Sequence, residues 1–210
     1  DTNKSTHEYI YSADGKKLSV IHKSSAENRT DYVGNMIYEN GSLKRILVDG
    51  GYIENGTYYF YLQDHLGNNR VVAKSDGTVI QTNHYYPFGM SFTESTHGDK
   101  QPYKYNNKEL DMNNGLNWYD YDARQMEAVS GRFTSIDPMA EKYYSWSPYS
   151  YCLGNPIKFV DPTGTLTSPY YTEDGTFLGV DEKGFTGAIY ITNKATFDKY
   201  SNCLLYTSPS

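Results

Sequence analysis

Aromatic and polar residues alternate in short runs along most of the chain, and glycine-containing turns separate these runs. Residues i and i+2 of a strand point to the same face. Three aromatic pairs are therefore expected to lie side by side: Tyr9 with Tyr11, Tyr59 with Tyr61, and Tyr119 with Tyr121. Dipeptides typical of tight hairpin turns occur at Asp14-Gly15, Asn40-Gly41, Asn55-Gly56 and Asp76-Gly77. The pattern predicts antiparallel hairpins over residues 9–125, which must stack on one another to cover their aromatic faces.

One segment has a helical signature. Asp137 is a suitable N-cap, Pro138 suits the first helical position, and helix-forming residues follow. Ser147-Pro148 would end the helix. We therefore predict a mainly β fold, an antiparallel hairpin meander with a short helix near residues 137–144 and a turn-rich C-terminal part.

Composition narrows the class of protein further. Hydrophobic residues make up only 38% of the 210 residues, yet the chain has 23 tyrosines, so much of the apolar area belongs to rings with a polar tip. Such aromatic content excludes ordinary disorder and argues against a helical bundle. The net charge of −6 gives no basic footprint for nucleic acid, and no apolar run approaches the ~18 residues of a membrane helix. Two cysteines and five histidines show no metal-ligand spacing, so no metal or cofactor is expected.

An ordered series of motifs follows the predicted hairpins. The motifs are Gly131-Arg132-Phe133-Thr134-Ser135-Ile136-Asp137-Pro138, Ser147-Pro148-Tyr149-Ser150-Tyr151-Cys152, Asn155-Pro156 and Phe159-Val160-Asp161-Pro162-Thr163-Gly164. Together they resemble the RHS repeat-associated core domain, which closes the tyrosine–aspartate (YD) repeat shell of bacterial polymorphic toxins and insecticidal toxin complexes. Two earlier segments, Tyr85-Tyr86-Pro87-Phe88-Gly89 and Tyr103-Lys104-Tyr105-Asn106-Asn107-Lys108-Glu109-Leu110-Asp111, resemble the version common in Bacteroidetes. The resemblance covers about residues 9–164.

The resemblance implies an architecture and a set of partners. YD repeats wind a long β-sheet into a hollow cocoon, the core domain plugs one end, and a toxic polypeptide is held inside. On this basis residues 1–95 would be YD-type hairpins, 96–164 the core domain, and 165–210 the start of a variable region. The expected partners are the rest of the same shell, the C-terminal effector and an immunity protein, with no nucleic acid and no membrane span. The expected location is secreted or on a bacterial cell surface, in competition between bacteria.

The resemblance also implies candidate catalytic residues. In well-studied members the core domain is an aspartyl autoprotease that cuts after a final Asp-Pro-x-Gly-Leu motif, and the matching positions here are Asp137, Asp161 and Arg132. Two close carboxylates cannot both ionise, so one can hold a proton while the other activates water, and an arginine can orient one of them. A purely structural role stays open, since Asp-Pro also caps helices and starts turns.

Two departures from the family pattern affect this expectation. Thr165 follows Gly164 where the family has leucine, and Gln125 to Ser130 replace the usual Tyr-Asp-Pro segment. We therefore expect inefficient self-cleavage near residues 164–166. The alternative function is a secreted or cell-surface β-repeat module that binds carbohydrate or another cell.

The last eight residues resemble a translated adapter sequence, so a native and a non-native origin both stay open.

Overall fold

A nine-stranded antiparallel sheet forms the first part of the protein. The computed structural model describes residues 5–13, 15–24, 26–92, 95–97, 100–142 and 144–165, and three short strands beyond residue 165. Each strand of the large sheet pairs with the next one along the chain, in the order β1 to β9. The strands are β1 Thr6–Tyr11, β2 Lys17–Lys23, β3 Glu27–Val33, β4 Met36–Glu39, β5 Ser42–Val48, β6 Gly51–Glu54, β7 Thr57–Gln63, β8 Asn69–Lys74 and β9 Val79–Thr82. The predicted hairpin meander is confirmed over these strands.

The hairpin turns lie where the dipeptides predicted them. Asn40 and Gly41 have φ angles of 50° and 79°, and they join β4 to β5. Asn55 and Gly56 have φ angles of 50° and 73° and join β6 to β7, and Gly77 has a positive φ between β8 and β9. Only residues that tolerate the left-handed region suit these turns. Of the first predicted turn, Asp14 lies outside the described residues.

A second, smaller sheet follows in chain order. It contains β10 Glu109–Asp111, β11 Trp118–Asp120, β12 Gln125–Glu127 and β13 Arg132–Phe133, all antiparallel. Single 3-10 turns occur at Tyr105–Asn107, Asn113–Gly115, Ala140–Lys142 and Cys152–Gly154. A further small sheet contains β14 Pro169–Tyr171, β15 Phe177–Val180 and β16 Tyr190–Ile191. Among the residues that the structure describes, no helix has the length and apolar composition needed to cross a membrane.

The helix predicted near residues 137–144 is reduced to the 3-10 turn at Ala140–Lys142. Its cap forms as expected, because Asp137 Oδ1 accepts the Met139 N–H at 2.7 Å. The backbone N–H of Asp137, however, donates to the Pro148 carbonyl. Since the chain returns to Pro148 so soon, it accommodates one turn rather than a longer helix.

The main hydrophobic core lies around the small sheet and is built largely of tyrosines. Its most deeply buried aromatic residues are Tyr105, Tyr119, Tyr121, Phe133 and Tyr151. Asn106 Oδ1 accepts hydrogen bonds from both the Tyr121 hydroxyl (2.7 Å) and the Tyr151 hydroxyl (2.6 Å). The core thus satisfies the polar tips of its rings internally, as buried polar groups require.

Polar contacts connect the two sheets. Lys17 Nζ of β2 lies 2.7 Å from Glu109 and 2.6 Å from Asp120 of the small sheet. The Tyr32 hydroxyl of β3 also donates to Glu109. These contacts line a cavity of about 400 Å³ between the sheets, so the small sheet covers part of one face of the large sheet.

Candidate active site

The buried side chain of Arg124 connects two aspartates that are distant in the sequence. Arg124 lies between β11 and β12, and its side chain has no exposed surface. Its Nη2 atom lies 2.8 Å from Asp137 Oδ2 and 3.5 Å from Asp161 Oδ2. Both aspartates are buried, with 2% and 3% exposure. We call Arg124, Asp137 and Asp161 the Asp–Arg–Asp cluster.

Turns position the two carboxylates. Asp137 caps the 3-10 turn at Ala140–Lys142 and is tied to the backbone of the loop that ends at Pro148. Asp161 starts the turn Asp161-Pro162-Thr163-Gly164, and its Oδ1 atom accepts the N–H groups of Thr163 (3.3 Å) and Thr165 (3.1 Å). This is the local hydrogen bonding that makes aspartate a common turn residue.

The remaining donors of Arg124 bind backbone carbonyls. Nη1 donates to the Pro148 carbonyl at 3.1 Å, and Nε donates to the Gly164 carbonyl. The guanidinium also lies over the Phe133 ring, 3.6 Å from its centroid. The planar guanidinium of Arg124 thus donates hydrogen bonds in several directions at once, which the ammonium group of a lysine could not reproduce.

The cluster holds the Gly164–Thr165 peptide bond from both sides. Arg124 binds its carbonyl oxygen, and Asp161 accepts its N–H. Gly164 has a φ of +71°, and a Cβ atom there would lie 2.6 Å from the Tyr121 carbonyl oxygen. A glycine is therefore required for the backbone to approach the small sheet so closely.

Burial governs the ionisation of the cluster. Desolvation raises the pKa of Asp161 to about 7, although the Arg124 guanidinium and the Thr163 N–H oppose this shift. Burial also lowers the pKa of Arg124 from its ordinary value, while the two carboxylates oppose that change. Asp161 can therefore gain or lose a proton near neutral pH, as general acid–base chemistry requires.

The structure places Arg132 away from the cluster. Arg132 and Phe133 are neighbours on β13, so their side chains point to opposite faces. Because Phe133 is buried, Arg132 is exposed, and its partner across the strands is Glu127. The arginine expected beside the two aspartates is thus Arg124. The chain has only two arginines after residue 70, and alternation along β13 is the one sequence signal that sets Arg132 on the face opposite to Phe133.

Sequence comparison gives a match over part of the chain. No family model matches the chain. It is 34% identical over 118 residues to salivary gland surface protein 1 of Aedes aegypti, a match over 55% of this chain and 3% of that protein.

The solved structures give a broader likeness. A crystal structure of TcdB2-TccC3-TEV matches with a TM-score of 0.64 and 22% identity, over 77% of this chain and 9% of that chain. A Photorhabdus luminescens Tc holotoxin pore carrying mutated TccC3 gives a TM-score of 0.62 and 21% identity, over 78% and 9%. The protein therefore shares the β-sheet fold of the matching part of the TcdB2-TccC3 structures. It spans less than a tenth of the length of these relatives.

Proposed function

We propose that this chain closes one end of a larger RHS-type β-cage that encloses a toxic polypeptide. The observation that carries the proposal is the nine-stranded sheet, paired strictly in chain order, with a small sheet covering part of one face. In this sheet β1 and β9 are the edge strands, and β9 is bridged at Thr82 to Thr96. An edge strand such as β1 is suited to continuation by further strands. The likeness to TcdB2-TccC3 supports the same role.

The wider setting follows from this role. The partners would be the remaining shell strands, the enclosed effector and an immunity protein that protects the producing cell. The cage would be secreted or displayed on a bacterial surface and used in competition between bacteria.

Protease protection tests the cage. In the full-length protein that contains this segment, the polypeptide downstream of residue 165 should resist proteolysis until the shell is opened. Val72 in β8 has no exposed surface, whereas Val79 in β9 is 54% exposed. A charge at the buried position disrupts packing, so Val72→Asp should expose the downstream polypeptide and Val79→Asp should not. Rapid digestion of this polypeptide in the unmodified protein would contradict the proposal.

We further propose that the Asp–Arg–Asp cluster is an aspartyl self-cleavage site acting near residues 164–166. An ionised Asp137 would take a proton from water as the water attacks a carbonyl carbon, and a protonated Asp161 would supply a proton to the departing amide nitrogen. Addition of one water yields a carboxylic acid and an amine. The pKa of Asp161, raised to about 7, and the guanidinium donor on the Gly164 carbonyl support these roles.

The residue at position 165 should make the reaction slow. A leucine side chain gains ~1.5–3 kcal/mol on entering an apolar pocket, and threonine brings a hydroxyl that needs a partner. Thr165 Oγ1 lies 2.8 Å from Thr163 Oγ1, so its hydroxyl is already engaged. If the transition state is stabilised by ~2.7 kcal/mol less, the cleavage step is about a hundredfold slower.

Intact-mass measurement over a day at pH 5 to 7 tests the self-cleavage proposal separately from the cage. The 210-residue chain should stay largely intact, and the Thr165→Leu variant should be cut near residues 164–166. Adding Asp137→Asn or Asp161→Asn to that variant should abolish the product, whereas Arg132→Met should not. A Thr165→Leu chain that stays intact would refute the self-cleavage proposal and leave the cage proposal standing.

An alternative role in binding carbohydrate is favoured by one surface feature. Tyr144, Trp146 and Tyr149 are exposed by 88%, 45% and 39% on one loop, and exposed rings can stack on sugars. Binding to a glycan array that is lost in Trp146→Ala and kept in Phe60→Ala, another exposed aromatic residue, would support this role. An array without signal would oppose it.

A further inference from the structure

Two histidines and an aspartate meet where the first hairpin contacts the small sheet. The register of β1 and β2 places His7 directly opposite His22, and their Nδ1 atoms are 2.6 Å apart. On its other side, His22 Nε2 lies 3.3 Å from Asp111 Oδ2 of β10. One ligand atom from each residue lies within 4.8 Å of the other two.

The surroundings hold these side chains in place. His22 is buried, and the side chains of His22 and Asp111 are 10% and 16% exposed. The Tyr9 hydroxyl donates to Asp111 Oδ2 at 2.7 Å, an outer contact of the kind that orients metal-binding carboxylates. The imidazole rings of His7 and His22 are nearly perpendicular, at 75°, so they meet edge to face without stacking.

The short contact between the two imidazoles is a hydrogen bond in which one ring donates an N–H to the ring nitrogen of the other. Because His22 meets His7 through Nδ1 and Asp111 through Nε2, a single ion bound by all three residues would replace this hydrogen bond. A Zn–N bond is about 2.0–2.1 Å long, and the three ligand atoms lie within 4.8 Å of one another, so rotation of an imidazole toward Asp111 would bring all three residues to one ion. The cavity of about 400 Å³, lined by His22 and Asp111, leaves space for a water molecule as a further ligand.

We propose that His7, His22 and Asp111 bind a divalent transition-metal cation, with Zn²⁺ as the best match to this set of donors. Imidazole nitrogen and carboxylate oxygen are both ordinary zinc ligands. The ion would fasten the first hairpin of the large sheet to β10 of the small sheet, residues far apart in the chain. Spacing along the sequence indicated no metal site, because strand register and the packing of two sheets create this one.

Titration of the tag-free, metal-stripped 210-residue chain with Zn²⁺ at pH 7 tests the proposal. We expect one saturable site, and Co²⁺ in its place should give the visible absorption spectrum of a protein-bound ion with nitrogen ligands. His7→Ala and Asp111→Asn should each weaken binding at least tenfold. His65→Ala, which removes an exposed histidine on the turn after β7, should bind like the unmodified chain.

A stability measurement supplies an independent result. Zn²⁺ should raise the melting temperature of the unmodified chain and of His65→Ala, but not of His7→Ala, because only ligand that binds the folded state stabilises it. His7 is only half-buried on the edge strand β1, so its replacement should leave the fold intact, which circular dichroism would verify. Absence of saturable binding up to millimolar Zn²⁺ would overturn the proposal. Equal affinity in His7→Ala and the unmodified chain would overturn it as well.

Discussion

Replacement of Arg124 by methionine examines how far the structure depends on the buried Asp–Arg–Asp cluster. Methionine approximates the length of the arginine stem but carries no charge or donor. The variant leaves two carboxylates, with 2% and 3% exposure, without their shared cation. Arg132→Met provides a matched control, since it makes the same substitution at an exposed arginine eight positions along the chain.

The expected cost follows from burial. Removing one partner of a buried ion pair costs about 3–5 kcal/mol, because the remaining charge stays buried and uncompensated. Loss of the hydrogen bonds to Pro148 and Gly164 adds about 1 kcal/mol each. Protonation of Asp161, whose pKa is already about 7, offsets part of this cost. We expect a net loss of about 4 kcal/mol at pH 8, against at most about 0.5 kcal/mol for Arg132→Met.

Urea denaturation at pH 8 and at pH 5 measures both differences. Since folded domains are stable by only ~5–15 kcal/mol, a loss of this size should lower the midpoint of the Arg124→Met transition markedly or leave the chain unfolded. At pH 5 the difference between the urea midpoints of the two variants should be smaller, because Asp161 then carries a proton. Equal midpoints for the two variants at pH 8, or a gap that does not change with pH, would refute this reasoning.

Three further outcomes are expected. Asp161 in the folded chain holds a proton between pH ~4 and ~7 that the unfolded chain has lost, so its contribution to stability falls as the pH rises through this window. Urea midpoints across the window should show a flatter slope in Asp161→Asn, and an unchanged slope would contradict the raised pKa. Asn106→Ala should cost about 2–4 kcal/mol in thermal unfolding, because the Tyr151 hydroxyl loses its acceptor and the Leu66 carbonyl loses its donor, while the Tyr121 hydroxyl can still donate to Tyr151; a loss below 1 kcal/mol would oppose this. Gly51→Ala should prevent close pairing of β6 with β7, because its Cβ would lie 1.9 Å from a β7 carbonyl oxygen. A thermal melt by circular dichroism like that of the unmodified chain would contradict this prediction.

Much of the large sheet was predictable because its signals are local. Asn40-Gly41 determines a hairpin through two positive φ angles, and the flanking residues alternate with strand periodicity. The helix near residues 137–144 was overestimated, because the cap at Asp137 is also a local signal while the return of the chain to Pro148 is not.

The candidate site was less predictable because its geometry depends on contacts between distant segments. The pairing of Asp137 with Asp161 was expected only from the resemblance to a known family. Nothing in the local sequence marks Arg124, which is buried where the turn at Gly164 packs against the connection between β11 and β12. The meeting of His7 with His22 depends on the register of β1 and β2, which neither strand encodes alone.

Imaging by electron cryomicroscopy of the full-length protein that contains this segment tests the central claim most directly. We expect the sheet to continue beyond β1 into a closed, hollow β-shell, with the small sheet of Glu109–Phe133 on its inner face at one end. A shell of this kind with density for an enclosed polypeptide is the outcome that the cage proposal requires. A solid domain, or an open sheet with the small sheet facing solvent, would contradict it.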